Sequence, residues 1–326
     1  MTLLLQELVF GLSTGAIYAL IALGYTMVYG IIELINFAHG DIFMIGTFVC
    51  IAIFGLFGIS GASQPAGLTL IAALVLACLV SMLVCAVLGV VIERIAYRPL
   101  RNAPRLAPLI SAIGVSLILE DIGKLWKGVT IVSFPQIFYP NVGFNLGPID
   151  ISAVNILVIV VALALMVGLQ WLVTNTRTGR AMRAVAQDRE AAALMGVNVD
   201  RIIAITFFIG AGLAGAAGFI YGLQQGSTVF YIGFQLGLIA FTAAVLGGIG
   251  NLVGAMLGGV LIGVIEALAS FIPDTNAADV PKLFGVAIGL PHGGPPWHGA
   301  IIFAILILIL VFRPSGLLGQ QTPEKV

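Results

Sequence analysis

The chain has 326 residues, of which 60% are hydrophobic and only 9% charged, and its mean hydropathy is +1.15. A water-soluble domain carries about a quarter of its residues as charges, so most of the outer surface of this molecule must face lipid. The net charge of zero excludes the basic footprint of a nucleic-acid-binding protein. Cys50, Cys78 and Cys85 lie in apolar runs and read as small packing residues. Cys78 and Cys85 stand about 10 Å apart along one helix, too far for a disulfide. Gln6 and Glu7 precede the first long apolar run without a basic segment, so no cleavable signal peptide is expected.

A bilayer core takes about 20 mostly apolar helical residues per crossing. In chain order, segments near 8–31, 35–59, 67–92, 106–123, 151–174, 202–223, 234–250, 252–271 and 297–312 meet that requirement. The expected fold is therefore an all-α, polytopic transmembrane bundle of eight or nine spans, forming one domain over residues 1–326. The breaks at 30–36 and 247–251 are short and either polar or glycine-rich, as in a re-entrant or broken helix.

If the spans alternate, eleven basic residues fall on one side: Arg94, Arg98, Arg101 and Arg105, then Arg177, Arg180, Arg183, Arg189 and Arg201, then Arg313 and Lys325. Lys124, Lys127 and Lys282 fall on the other. The positive-inside rule places the N-terminus outside and the C-terminus in the cytoplasm. Loops 124–150 and 272–296 then lie outside, the first holding short extended stretches or turns and the second irregular. Loop 175–201 lies inside.

Three patterns carry functional meaning. Asn36, His39 and Asp41 open an apolar span, where each polar group needs a partner or water. They suit either a stretch lining the translocation pathway or a capped helix start with Asp41 at its positive end. His39 and Asp41 are two residues apart and point to different helix faces, which argues against a metal site. Residues 178–198 combine Arg183 with an alanine-rich end and read as one helix of about four turns, closed by Gly196 and Asn198. The stretch Glu190–Gly196 suits docking into a groove on a partner.

Third comes a glycine series. Gly250, Gly254 and Gly258 have the Gly-xxx-Gly spacing of close helix packing, and Gly247, Gly248 and Gly250 could also expose backbone groups to a solute. INFAHGDIFMIGTFV (35–49) and AVLGGIGNLVGAMLGGV (244–260) echo each other weakly, as inverted repeats do in transporters. Glu266 sits inside a late apolar span and suits either a proton relay or a hydrogen bond to a neighbouring helix near the outer end.

GAIYALIALGYTMVYGIIELINFAHGDIFMIGTFV (15–49), IERIAYRPLR (92–101), LISAIGVSLILED (109–121), RTGRAMRAVAQDREAAALMGVNVDRIIAITF (177–207) and FTAAVLGGIGNLVGAMLGGVLIGVIEAL (241–268) closely resemble the branched-chain amino acid ABC transporter permeases. Within that family they resemble the LivH-type subunit more than the LivM type. The chain departs from the pattern at 274–296, in a stretch around His292–Pro296.

The resemblance implies a LivM-like second permease, two LivG/LivF-like ATPases in the cytoplasm and a periplasmic solute-binding protein. It implies that Glu190, Ala191, Ala192 and Gly196 belong to an ATPase-coupling loop, and that ATP and Mg are bound by the partners, leaving no cofactor and no catalytic residue in this chain. The expected solute is small and neutral or zwitterionic, a branched-chain or other neutral amino acid. Urea, short amides, or a self-sufficient secondary transporter are the alternative readings.

Overall fold

The computed structural model describes residues 2–59, 67–101, 103, 104, 106–135, 143–146, 149–274, 282, 283, 286, 287, 289–313 and 315–319. Arg105, Lys325 and parts of loops 124–150 and 272–296 lie outside the described residues.

Among the described residues, eight helices are long and apolar enough to cross a membrane, and a ninth apolar helix is shorter. In chain order the membrane helices are α1 (Thr2–Ile32), α2 (His39–Leu56), α3 (Leu68–Ile92), α4 (Leu106–Lys127) and α5 (Ala153–Asn175). Two short helices follow, α6 (Arg177–Gln187) and α7 (Arg189–Leu194). The chain then returns through α8 (Val199–Gln225), α9 (Ile232–Gly247), α10 (Leu252–Ala269) and α11 (His298–Phe312). These nine apolar helices correspond one for one to the nine segments expected from hydropathy.

Among the described residues, extended structure forms three two-stranded antiparallel pairs, β1 (Val132–Ser133) with β4 (Ser227–Thr228), β2 (Gly143–Leu146) with β3 (Ile149–Ser152), and β5 (Lys282–Leu283) with β6 (Val286–Ala287), and one isolated bridge between Asp274 and Leu290.

Helices α1, α2 and α8 form the core, and α3, α4, α5 and α11 present apolar side chains outward. Without a hydrophobic drive between helices in lipid, close approach depends on small residues. Antiparallel α1 and α10 meet through Gly11, Gly15, Gly259 and Gly263, and α3 meets α8 where Gly215 lies against Ser81 and Cys85. Ser81 Oγ donates to the Gly46 carbonyl at 3.1 Å and the Gly215 carbonyl at 2.9 Å, tying α3 to α2 and α8.

The two breaks behave differently. After α1 ends at Ile32, residues 33–38 climb back along it, and the His39 ring reaches Gly24. Gly24 is eight residues before the end of α1, or about 12 Å at 1.5 Å per residue. The break near Gly30–Asn36 is therefore re-entrant. The break at 247–251 is an ordinary reversal between antiparallel α9 and α10, with Gly248 and Gly250 at φ +103° and +94°.

Gly226–Tyr231 likewise descends from the end of α8 until Gly233 meets Gly40 and Asp41. One correction concerns the single helix over 178–198. It is two helices, since Asp188 leaves helical geometry (φ −158°, ψ 113°) and caps α7 through 3.0 Å bonds from the Glu190 and Ala191 amides.

Candidate functional site

At mid-depth the first turns of α2 and α9 abut and then run in opposite directions. A Cβ at Gly40 would stand 2.9 Å from Gly237 Cα, and a Cβ at Gly233 would stand 2.7 Å from the Gly40 carbonyl oxygen. Only glycine lets these backbones come so close. Two helix N-termini facing each other concentrate partial positive charge. Asp41, wholly buried in the first turn of α2, places its carboxylate against Gly233 in the first turn of α9. One side chain thus compensates both dipoles. Its Oδ2 accepts from Ser116 Oγ on α4, and its Oδ1 has no hydrogen-bond partner.

Asn36 and His39 are also buried. Tyr97, in a π-helical turn (Glu93–Tyr97) that extends α3, donates to Asn36 Oδ1 at 3.0 Å. The His39 ring packs edge-on against Tyr25, with centroids 4.8 Å apart. All three residues therefore sit inside the subunit, between α1, α4, α8 and α9, where they bind the break into the core. Gly247, Gly248 and Gly250 lie far from them. Gly247 stacks against Gly254, and Gly248 lies against Gly316 and Gly319 of the C-terminal segment. The Leu317 and Leu318 amides donate to the Leu246 and Gly247 carbonyls at 2.8 and 3.0 Å.

The arginine-rich end holds the second region. Thr176, Asp188 and Asn198 cap α6, α7 and α8 through side-chain oxygens, which satisfies otherwise orphaned amides. Gly196, at φ +83°, closes α7 in a Schellman turn, with the Gly196 amide on Ala193 O and the Val197 amide on Ala192 O. Arg189 donates to the Ile31 carbonyl at 2.7 Å, tying α7 to the end of α1.

Arg183, exposed, hydrogen-bonds the Val173 and Thr174 carbonyls at the end of α5 and so ties α6 to α5. Ala192 is buried, whereas Glu190, Ala191 and Gly196 are exposed. The tip of the loop is apolar: Leu194 is 89% and Met195 85% exposed.

Beside this loop, a polar cavity of about 470 Å³ is lined by Glu33, Arg101, Arg189 and Glu190, among others. Arg101 pairs with Glu93, which is 1% exposed, and with Asp200 on α8; Arg98 shares Asp200. This network joins the loop after α3 to the start of α8. Sequence reasoning missed it, because the ion-pair partners come from loops a hundred residues apart.

No grouping of three or more His, Cys, Asp or Glu among the described residues could hold a metal.

The family model described as "Branched-chain amino acid transport system / permease component" matches residues 7–310. The high-affinity branched-chain amino acid transport system permease protein BraD of Pseudomonas aeruginosa is 43% identical, over 99% of this chain and 98% of its own. The LivH permease protein of Escherichia coli is 41% identical, over 99% and 97%. A probable LivH of Methanocaldococcus jannaschii is 27% identical, over 92% and 88%. Comparison with solved structures returns no significant match. With nine apolar helices, small-residue packing and near end-to-end similarity to these proteins, the chain is a multi-pass membrane protein that belongs to the permease-component family of branched-chain amino acid transport systems.

Proposed function

We propose that this chain is the permease subunit through which a branched-chain amino acid crosses the bacterial inner membrane, with its N-terminus outside and its C-terminus in the cytoplasm. The reading includes a second, LivM-like permease, two LivG/LivF-like ATPases that bind and hydrolyse ATP with Mg, and a periplasmic solute-binding protein. The observation that carries it is the capped α6–α7 loop at the arginine-rich end, which holds Leu194 and Met195 outward on a rigid turn. An exposed apolar tip on an ordered helix fits a groove on a partner protein. Arginines beside it favour the cytoplasmic leaflet.

The test has two parts. Single cysteines replacing Leu194 and Val129, both exposed and at opposite ends of the bundle, should label from the cytoplasmic and external sides respectively with a membrane-impermeant reagent. The chain reconstituted with its neighbouring permease, ATPases and binding protein should take up leucine only when ATP is supplied. Labelling of both sites from one side, or uptake without ATP, would overturn the reading.

A further inference from the structure

Residues 33–38, the re-entrant segment between α1 and α2, lie outside any helix, so no helical ladder fixes where they sit. Glu33 opens the segment at φ +53°. That conformation is costly for a residue with a Cβ and persists only where the surroundings hold it. Two side-chain bonds do the holding. At the entry, Arg189 of α7 donates to the Ile31 carbonyl at 2.7 Å. Farther in, the Tyr97 hydroxyl donates to Asn36 Oδ1 at 3.0 Å and lies 3.5 Å from the Ile35 carbonyl oxygen.

Both bonds lead to the α6–α7 loop. Arg189 belongs to it. Tyr97 shares its π-helical turn with Glu93, which pairs with Arg101, and Arg101 pairs with Asp200 in the first turn of α8. Asp200 follows directly on the Gly196 turn that closes the loop. Such π turns inside longer helices are frequent at functional sites. The polar cavity of about 470 Å³ lies between segment and loop, with Glu33 and Leu34 on one wall and Arg101, Arg189 and Glu190 on the other. Segment and loop therefore have room to move against each other, and the two bonds determine how a movement is passed on.

The inner end of the segment leads to mid-depth. The His39 amide donates to the Asn36 carbonyl at 3.0 Å, starting α2, and Gly40 then touches Gly233 of α9 backbone to backbone. Close-packed backbone atoms leave no slack to absorb a shift, so a displacement of 33–38 carries the starts of both helices with it. Helices broken near mid-depth are where transporters form solute sites.

We infer that Arg189 and Tyr97 are positioning residues for transport. They fasten the re-entrant segment to the α6–α7 loop, so that a partner pressing on the loop shifts the abutting starts of α2 and α9. The inference rests on that loop being the surface where the ATPases dock. It gives the enclosed Asn36 a task, holding the segment to Tyr97, that needs no contact with the solute.

The test uses the complete reconstituted importer. Arg189→Met and Tyr97→Phe should each lower the leucine moved per ATP about tenfold, the size expected when a buried polar group loses its partner. Capture of the ATPases and hydrolysis stimulated by the binding protein should stay at the wild-type level. Arg189→Lys keeps a donor and should restore part of the ratio. A fluorophore on a cysteine replacing the exposed Glu33 reports movement without leucine. Its emission should change when ATP is added, and should not when Arg189→Met is also present.

An unchanged ratio of leucine to ATP in either variant would overturn the inference. Uptake and hydrolysis falling together would overturn it as well, because the two bonds would then only hold the fold. So would a Glu33 fluorophore that ATP leaves unchanged in the otherwise wild-type complex. A complex that shows the ATP-dependent change yet moves no leucine would count against the permease reading and leave this coupling in place.

Discussion

The Tyr18 hydroxyl donates a 2.7 Å hydrogen bond to Glu266, joining α1 to α10 across 248 residues of chain. His298, at the start of α11, places Nδ1 3.5 Å from the other carboxylate oxygen. Of the two readings open for Glu266, the bond to a neighbouring helix is the one the structure contains, and it also draws in α11. Tyr18→Phe removes the donor and should destabilise the bundle by about 1–3 kcal/mol. Glu266→Gln keeps an acceptor and should melt close to wild type and still transport. Thermal unfolding in detergent and leucine uptake check the pair of results. Lost transport in a stable Glu266→Gln variant would restore the proton relay.

Glycines three residues apart on α8 should respond differently to the same substitution. A Cβ at Gly215 would lie 2.6 Å from the Ser81 carbonyl oxygen and 2.9 Å from its carbon, backbone atoms that cannot move aside cheaply. A Cβ at Gly212 would meet nothing nearer than 3.6 Å. Gly215→Ala should therefore cost about 1–3 kcal/mol by overpacking, with a visible loss of monodisperse protein on size exclusion. Gly212→Ala should be indistinguishable from wild type in the same measurement.

Removing Arg101 strands a buried charge. Glu93 has 2% of its side chain exposed, and its ion-pair partner is Arg101. Arg101→Ala should destabilise by about 3–5 kcal/mol, as expected when one member of a buried pair is deleted. Adding Glu93→Gln should recover a large part of that loss, since no uncompensated carboxylate would remain. Comparing the melting temperatures of the single and double variants reads out the difference. An Arg101→Ala variant as stable as wild type would show that water reaches Glu93.

Span positions were legible because lipid imposes one rule, about 20 apolar residues per helix, and nothing in the packing can relax it. The depth at which a helix begins was not legible. Both 30–36 and 247–251 read as polar interruptions, yet the first re-enters and the second merely turns. The second re-entrant segment, Gly226–Tyr231, passed as an ordinary loop.

Asp188 was readable in the same way, as an N-cap before an alanine run. What no periodicity could disclose is which face of α4 and α9 stays open, because that depends on which neighbours cover it. Asn36, His39 and Asp41 were correctly singled out as costly. The structure encloses them: Tyr97 and Ser116 bond Asn36 and Asp41, while Asn36 Nδ2, His39 Nε2 and Asp41 Oδ1 keep no hydrogen-bond partner among the described residues.

The coupling loop permits a test that separates shape from contact. Gly196 has φ +83°, and a Cβ there would meet no atom within 4 Å. Any effect of substitution within this chain therefore arises from backbone conformation. A β-branched residue resists the left-handed region, whereas asparagine adopts it readily. Gly196→Val should distort the Schellman turn that aims Leu194 and Met195, at a conformational cost of about 1–3 kcal/mol, and should uncouple ATP hydrolysis from uptake or release the ATPases. Gly196→Asn should retain both.

Leu194→Asp leaves the turn intact and removes the apolar tip, so it should weaken ATPase capture without changing the melting temperature of the isolated permease. A pull-down of the ATPases, with binding-protein-stimulated hydrolysis measured on the same samples, distinguishes these outcomes. Wild-type capture and stimulation by both Gly196→Val and Leu194→Asp would move the coupling contact to the loop after α3, where Arg98 and Arg101 meet Asp200.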